Sequence, residues 1–572
     1  MSVELHFNGQ PTRVTPGPSL FDCAESLGIN VPTSCRKNGK CKECVVEIVE
    51  GMNLLSERVP AEKHLKGNFR LSCSCRIVAD SGVVRCHTMR RGEMRIERYA
   101  LQLPTNAETL KLEPAVTRDG DRILLDGDEI ARSTAPIHGL AMDLGTTTIV
   151  LRLLNLETGE IIADASFENP QRFGGSDVMS RIHYDTEEGS HLLQRTLAGY
   201  LTHAIEAFPV DPATIYEMVV AGNSTMRDLF FRLNVYSIGQ SPYRSITELE
   251  MAAGKRTTTS LAESAKKLLL PIHPRARVYG LPIISGHVGA DAAACMLAVD
   301  LANEERLVAI MDIGTNTELI LGRKNKILAA SCPAGPAFEG GKISCGMPGL
   351  PGAIEKVEIA EDGSVRVGVI GDVPAEGICG SGLVDLLSEL LRTNRINPLG
   401  RFEHGEDKFV LDVKSDSPRG VNPTRRQSNQ EATTPRGEPI YFTESDINEL
   451  AQAKGANVAG LHVIFHDYGI RFEDVDVFYL AGGFGRHLNV ESSKRIGLIP
   501  NIDGSKITQV GNAAIEGASM ALLSRTKRLE LEKLVQKVVH CRLEAHPHFF
   551  DFFVEGCQFN PVVSPHPLPS IS

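Results

Sequence analysis

Seven of the chain's 13 cysteines precede residue 90, and four of them, Cys35, Cys41, Cys44 and Cys73, stand in a C-x5-C-x2-C…C frame. Two irons sharing two sulfides need four thiolates, and one loop over residues 34–44 can wrap three of them around the metal, with Gly39 permitting the tight turn. The fourth comes from a separate segment, where Cys75 is the rival of Cys73. Zinc is the competing ion, but it normally takes a second short cysteine pair, and Cys73-Ser74-Cys75 is too tight for the usual knuckle. Arg36, Lys37, Lys40 and Lys42 dress the loop, and positive charge there favours a reduced cluster, an effect that salt screens.

A second chemistry is written twice. Met142-Asp143-Leu144-Gly145-Thr146-Thr147-Thr148 returns 169 positions later as Met311-Asp312-Ile313-Gly314-Thr315-Asn316-Thr317. Each copy follows an apolar run and precedes another. An aspartate ends a buried strand, a glycine lets the hairpin approach a ligand, and hydroxyls and backbone N–H groups face outward, which is a turn fit to hold phosphate. A P-loop is the other nucleotide device to consider. Gly335-Pro336-Ala337-Phe338-Glu339-Gly340-Gly341-Lys342-Ile343-Ser344 approaches G-x4-G-K-[ST] but has an extra glycine that shifts Lys342 out of register, and a proline after the first glycine. It reads as a glycine-rich loop in which Glu339 orients a water or magnesium, or as a structural turn.

The elements that must position these residues follow from pattern and length. At 572 residues the chain exceeds one hydrophobic core, so several domains are expected. Hydrophobic content of 42% and charged content of 23% are those of a globular protein, and a net charge of −11 argues against nucleic acid as a partner. The N-terminus lacks the basic and apolar regions of a secretory signal, and no stretch reaches the roughly 20 apolar residues that span a bilayer, so no membrane association and a cytoplasmic location are expected. Residues 1–98 alternate short apolar runs and turns, as a small β-grasp fold would, with a turn through Asn8 and Gly9 and a short helix near Ser19 to Leu27. Residues 99–135, broken by Pro104, Pro114 and two Asp-Gly-Asp turns, read as a linker with a few strands. From 136 onward strands, glycine turns and helices alternate in α/β style, first over a middle domain, 136–300, and then over a C-terminal domain, 301–572. The stretch 414–438 is too polar to order itself and reads as a surface loop. After residue 380 only Cys541 and Cys557 occur, so no second cluster is expected.

The cysteine loop resembles that of plant-type [2Fe-2S] ferredoxins, and Arg70-Leu71-Ser72-Cys73 resembles their R-L-x-C segment, which favours Cys73 as fourth ligand. The basic dressing implies a potential above the roughly −400 mV of those proteins. The two Asp-Gly-Thr turns, followed by Ala481-Gly482-Gly483 after an apolar strand, resemble the phosphate-1, phosphate-2 and adenosine motifs of the actin, sugar-kinase and heat-shock-chaperone ATPase superfamily. That resemblance implies two ribonuclease-H-like halves closing over ATP with Mg2+. Asp143 and Asp312 would hold metal-bound waters and position the attacking one. Gly145, Thr146, Thr147, Gly314, Thr315 and Asn316 would cradle phosphates, and Gly482 and Gly483 would let backbone approach the adenosine.

A ferredoxin module fused to such an ATPase is similar to the reductive activators of corrinoid proteins. The segments Asn169-Pro170-Gln171-Arg172-Phe173-Gly174-Gly175-Ser176-Asp177-Val178, Gly222-Asn223-Ser224-Thr225-Met226, Gly377-Ile378-Cys379-Gly380-Ser381-Gly382 and Gly511-Asn512-Ala513-Ala514-Ile515-Glu516-Gly517-Ala518 carry the same resemblance. It implies ATP-dependent reduction of inactive Co(II) to Co(I) on a corrinoid protein of a methyltransferase system, an external low-potential electron donor, and room for a homodimer. Ser381, flanked by glycines, is a candidate ligand toward the partner's cobalt or, more simply, a helix cap. Three other classes compete: an electron activator of a radical enzyme, a sugar-type kinase with a redox sensor, and a nucleotide-gated binding protein. Turnover separates them.

Overall fold

The computed structural model describes residues 2–35, 37–90, 110–403, 405, 407–411, 439–483 and 485–564. The expected surface loop at 414–438 and the first part of the linker, 99–109, lie outside the described residues. The described residues divide into two compact units, one comprising those up to 297 together with 514–535, the other comprising 298–513 and those from 536 on.

In the first unit, β1 (Val3–Phe7) and β2 (Gln10–Val14) form a hairpin. Its turn needs two residues with positive φ, supplied by Asn8 at 49° and Gly9 at 79°. The helix Leu20–Ser26 opens with a capping box between Ser19 and Asp22. β3 (Val45–Glu50), β4 (Phe69–Leu71) and β5 (Val83–Thr88) complete a sheet of order β2-β1-β5-β3-β4, with β5 parallel to β1, which is a β-grasp arrangement. The segment before the fourth thiol is fixed by a buried ion pair. Arg70 Nε donates to Glu62 Oε1 at 2.8 Å, the same oxygen accepts the Leu71 amide at 2.8 Å, and both side chains are almost fully shielded from solvent. Within the expected linker, β6 (Val116–Asp119), β7 (Arg122–Leu125) and β8 (Asp128–Arg132) form an antiparallel meander.

The larger sheet of this unit contains β9 (His138–Leu144), β10 (Thr148–Asn155), β11 (Ile161–Glu168), β12 (Ile215–Gly222), β13 (Leu261–Ser264) and β14 (Arg277–Gly280) in the order β11-β10-β9-β12-β14-β13. β9 to β11 are antiparallel, while β12 and β14 run parallel to β9. Chain order alone does not delimit this unit, because the helices Ala513–Leu523 and Arg525–Val535 pack into it. Arg528 donates to both oxygens of the fully buried Glu217 at 3.0 and 3.2 Å, and Arg152 bridges Asp164 and Glu516.

The second unit repeats the sheet. β15 (Val308–Ile313), β16 (Thr317–Arg323) and β17 (Lys326–Cys332) form the antiparallel trio. A small sheet of β18 (Ala353–Ile359), β19 (Val365–Val369) and β20 (Gly377–Ile378) and a two-stranded ribbon of β21 (Lys408–Val410) and β22 (Tyr441–Thr443) follow. β23 (Val477–Ala481) and β24 (Ile507–Gly511) then join β15 in parallel, and β25 (Val538–His540) pairs in parallel with β17. The order β24-β23-β15-β16-β17-β25 matches the first large sheet in its five principal strands, so the ribonuclease-H-like topology occurs twice, as the duplicated motif implies.

Glu62→Ala leaves the Arg70 guanidinium buried and unpaired, so the ferredoxin sheet is expected to lose about 3–5 kcal/mol of stability. Urea unfolding followed by loss of cluster absorbance measures it, and a midpoint equal to that of the wild type would refute the anchoring role.

Candidate functional site

The four thiols form two pairs. Cys35 is hydrogen-bonded to Cys41, and Cys44 donates to Cys73. Burial raises the Cys35 thiol, but hydrogen bonds from Cys41 and from the Asn38 and Lys40 amides outweigh it and bring the group down to about 7. Cys73 is brought down to about 6 by the hydrogen bond from Cys44, against the effect of burial, with help from the Ser74 hydroxyl and the Gly39 amide. The same bond and burial drive the Cys44 thiol up. Cys75 behaves differently: it is fully enclosed in the apolar core, and burial pushes it up to about 12. The Cys73 thiol pairs with Cys44 and receives the Gly39 amide of the loop that carries the other three, whereas Cys75 is enclosed in the apolar core, an arrangement that favours Cys73 as the fourth ligand.

A single zinc would draw its donors into one tetrahedron, while a two-iron cluster takes two thiolates on each iron, so the donor set fits [2Fe-2S]. The Ser72 amide and hydroxyl both donate to the Cys44 carbonyl, at 2.9 and 3.0 Å, which ties the third thiol to the strand of the fourth.

The basic dressing is partly neutralised. Lys37 pairs with Asp22 at 2.9 Å and Glu25 at 2.5 Å, and Lys42 pairs with Glu188 at 3.0 Å. Arg36 lies outside the described residues. A cation that sequence reasoning missed stands closer: Arg195, on the helix Leu192–Glu206, donates to the Cys41 carbonyl at 2.7 Å and lies 3.4 Å from Glu43. It is 154 residues from Cys41, so no local signal marks it.

The two Asp-Gly-Thr turns are built alike. Asp143 and Asp312 are half-buried at the penultimate positions of β9 and β15. Gly145 N–H donates to the Thr148 carbonyl at 3.0 Å, and Gly314 N–H to the Asn316 carbonyl at 3.2 Å. A Cβ on Gly145 would sit 2.7 Å from the Thr148 oxygen. The expectation that all the hydroxyls face outward is corrected by burial. Thr146 and Thr315 are only 4% and 6% exposed, with Thr146 Oγ1 accepting from Asn223 Nδ2 at 2.8 Å and Thr315 Oγ1 donating to Glu339 Oε2 at 2.5 Å. Thr147 and Asn316 remain half-buried.

Each turn is held by its neighbours. In the first unit Asn169 donates its side-chain amide to the Gly145 carbonyl at 2.8 Å and its backbone amide to the Thr147 carbonyl at 2.7 Å. In the second, Gly335 N–H donates to the Thr315 carbonyl at 2.9 Å. The glycine-rich loop is therefore stitched onto the turn, and Glu339 is brought to Thr315. It is a short helical turn rather than a P-loop, since Gly340 and Gly341 give their amides to Ala337 and Pro336, and the exposed Lys342 lies 3.8 Å from Glu449. Gly482, with φ 107°, crosses so close that a Cβ would lie 2.3 Å from the Ile313 carbonyl and 3.0 Å from Asp312 Oδ1, while Gly483 is exposed beside it. Such a cradle, a carboxylate beside bare backbone, fits a hydrated magnesium and a nucleotide.

Ser381 is neither the helix cap nor an exposed group. The cap position of Gly380–Arg392 is Cys379, and Ser381 lies one position into the helix, 4% exposed, with its hydroxyl 3.4 Å from the Cys379 sulfur.

Comparison with known proteins adds the following. Residues 5–78 match the 2Fe-2S iron-sulfur cluster binding domain, 138–304 the RACo middle region, and 306–570 the C-terminal domain of RACo, the ASKHA domain. The chain is 28% identical to the corrinoid activation enzyme RamQ of Eubacterium limosum over 94% of its own length and 96% of that enzyme. It is 24% identical to a [Co(II) methylated amine-specific corrinoid protein] reductase of Methanosarcina barkeri over 73% of its length and 76% of that protein. A solved structure, a reductive activator for a corrinoid, iron-sulfur protein, is similar at 27% identity and a TM-score of 0.69 and covers 98% of each chain.

Exchange of Cys73 for serine is expected to abolish the cluster's visible absorbance and cut the iron content, whereas Cys75→Ser is expected to keep two irons per chain. Iron analysis and the absorbance spectrum after reconstitution decide it, and the reverse pattern would assign Cys75.

Proposed function

The chain belongs to the RACo family of reductive activators of corrinoid proteins, and from that premise we propose that it passes single electrons to a partner's Co(II) corrinoid, giving Co(I), and couples the transfer to ATP hydrolysis. One observation carries the reading: a single chain holds both a ferredoxin-type set of four thiols, three on one loop and one on a separate segment, and a duplicated Asp-Gly-Thr turn whose second copy is braced by Glu339.

When bound, the [2Fe-2S] cluster supplies one-electron transfer. Cys35, Cys41, Cys44 and Cys73 hold it, and a low-potential donor outside the chain reloads it. Reduction of Co(II) in a corrinoid lies below the potential of an ordinary cluster of this type, so electron flow alone stalls. An electron moved uphill by about 100 mV costs about 2.3 kcal/mol, a modest demand on nucleotide binding and hydrolysis.

Asp143 and Asp312 would hold the waters of Mg2+, which neutralises charge on the phosphates. Glu339, positioned by its bond from Thr315, accepts a proton from the water that attacks the terminal phosphoryl group. The bond from that group to ADP breaks, and ADP and phosphate leave. Gly482 and Gly483 give the adenosine room. Coupling requires the nucleotide-bound chain to prefer the Co(II) partner and the spent chain to release the Co(I) product, because a ligand shifts an equilibrium only by its differential affinity. Ser381 serves the packing of its own helix in this scheme.

The test mixes the reconstituted chain with a Co(II) corrinoid protein, a low-potential reductant and ATP and follows Co(I) absorbance. Asp312→Asn and Glu339→Gln are each expected to lower ATP hydrolysis and Co(I) formation by about 10²–10³-fold, the usual loss on removing one preorganised group, with the cluster still reducible. Variants that form Co(I) at the wild-type rate would refute the assignment.

A further inference from the structure

A trio of ligand atoms stands apart from both chemistries. Among the described residues, one ligand atom each of His466, Asp467 and His546 lie within 4.8 Å of one another. His466 Nδ1 is 3.3 Å and His546 Nε2 3.7 Å from Asp467 Oδ1, and the two imidazole rings meet edge to face at 5.4 Å. Donors on a zinc ion with bonds of about 2.0–2.1 Å stand roughly 3.3 Å apart in a tetrahedron, so these spacings are close to those of neighbours on a single ion.

The sequence brings the trio together from two places. His466 and Asp467 end the helix Glu444–Tyr468, which Gly469 terminates with φ 86°. His546 follows the short turn Leu543–Ala545 that comes after β25. Two neutral imidazoles and one carboxylate carry a net charge of −1, which suits a divalent cation and not an anion. The side chain of His546 is 9% exposed, while His466 and Asp467 are open at 35% and 37%, giving an ion a way in. Softer donors are near: the buried Cys541 thiol hydrogen-bonds to the same Asp467 carboxylate, and the His548 ring lies 5.9 Å from that of His546.

We propose that His466, Asp467 and His546 bind one late first-row divalent ion of the zinc class, with water or Cys541 completing the shell. Imidazole, carboxylate and thiol together select zinc over magnesium or calcium, which prefer oxygen donors. Binding through His546 Nε2 places that ring's proton on Nδ1, so the 3.3 Å hydrogen bond from the His548 amide gives way. The ion's role is a staple. The last described segment runs from edge strand β25 to the helix Phe549–Gly556, whose Phe552 stacks on His462 at 4.9 Å. At its far end Lys454 donates to the Gly556 and Gln558 carbonyls. An ion at His546 fastens the near end to the same long helix.

The test is calorimetric titration of zinc chloride into the full chain with its cluster assembled, next to the His466→Ala, His546→Ala double variant. The wild type is expected to take up one equivalent of zinc and to gain several degrees in the unfolding temperature of its ATPase part. The double variant is expected to do neither, with iron content and cluster absorbance unchanged. Asp467→Asn, a milder change at an exposed group, covers the case in which the double variant fails to fold, and it is expected to weaken binding at least tenfold. Equal zinc uptake by wild type and variants, or none by the wild type at millimolar zinc, would overturn the proposal.

Discussion

In each half a glycine crosses the aspartate turn where no side chain fits, and the geometry of the two Asp-Gly-Thr turns depends on that crossing. A Cβ on Gly222 would lie 2.6 Å from the Leu144 carbonyl, and one on Gly482 would lie 2.3 Å from the Ile313 carbonyl. The contacts are equivalent because β12 runs in register with β9 as β23 does with β15, so that the end of the fourth strand always meets the residue after the aspartate. Backbone pressed on backbone leaves each turn little freedom. Asn169 in one half and Gly335 in the other then pin its far side. In the proposed role, carboxylates held this way would need no reorganisation when charge develops on a phosphate.

The ferredoxin part is ordered by a different means. Its cysteine loop is held by Arg195 on the Cys41 carbonyl and Lys42 on Glu188, and the strand that follows by Arg172 on Glu47 at 2.5 Å. The Met89 amide donates to the Tyr200 hydroxyl at 2.9 Å, and Pro32 packs so close to Gly199 that a Cβ there would come within 2.8 Å. Hydrogen bonds and charges near a cluster are levers on its potential. Lys37 and Lys42 are spent in ion pairs, and Arg195, itself beside Glu43, adds a guanidinium on the Cys41 carbonyl. Residues 172–200 of the middle domain thus provide part of the surroundings of the cysteine loop and its sheet within one unit.

Much of this was legible in the sequence because it is local. The cysteine spacing, the Asn8-Gly9 turn and the two Asp-Gly-Thr motifs each lie within a few consecutive residues, and repetition of the second motif implied the duplicated sheet. What was not legible depends on distance or register. Gly222-Asn223 and Gly482-Gly483 occupy equivalent places, but only strand pairing shows it, since the residues differ. Glu188 is 146 residues from Lys42, and Glu217 is 311 residues from Arg528, which joins the helices of 514–535 to the first unit. Ser381 looked exposed between two glycines, yet Gly382 is there because a Cβ would lie 2.2 Å from the Ile354 carbonyl, and the same close packing buries the serine. The string from Gly335 to Ser344 resembled a phosphate loop in composition alone. The Gly340 and Gly341 amides close on its own carbonyls and the Gly335 amide on Thr315, and the consequence is a platform for Glu339.

The central claim is that nucleotide supplies the energy that the cluster's potential lacks. The most direct measurement is stopped-flow mixing of the pre-reduced chain, freed of external reductant, with a Co(II) corrinoid protein, with and without Mg-ATP, while Co(I) absorbance and cluster bleaching are recorded together. The account predicts that cluster oxidation and Co(I) formation appear together, one electron for one cobalt, only when ATP is present. Co(I) formed at the same extent without nucleotide would contradict it, because no gap would then remain for ATP to close.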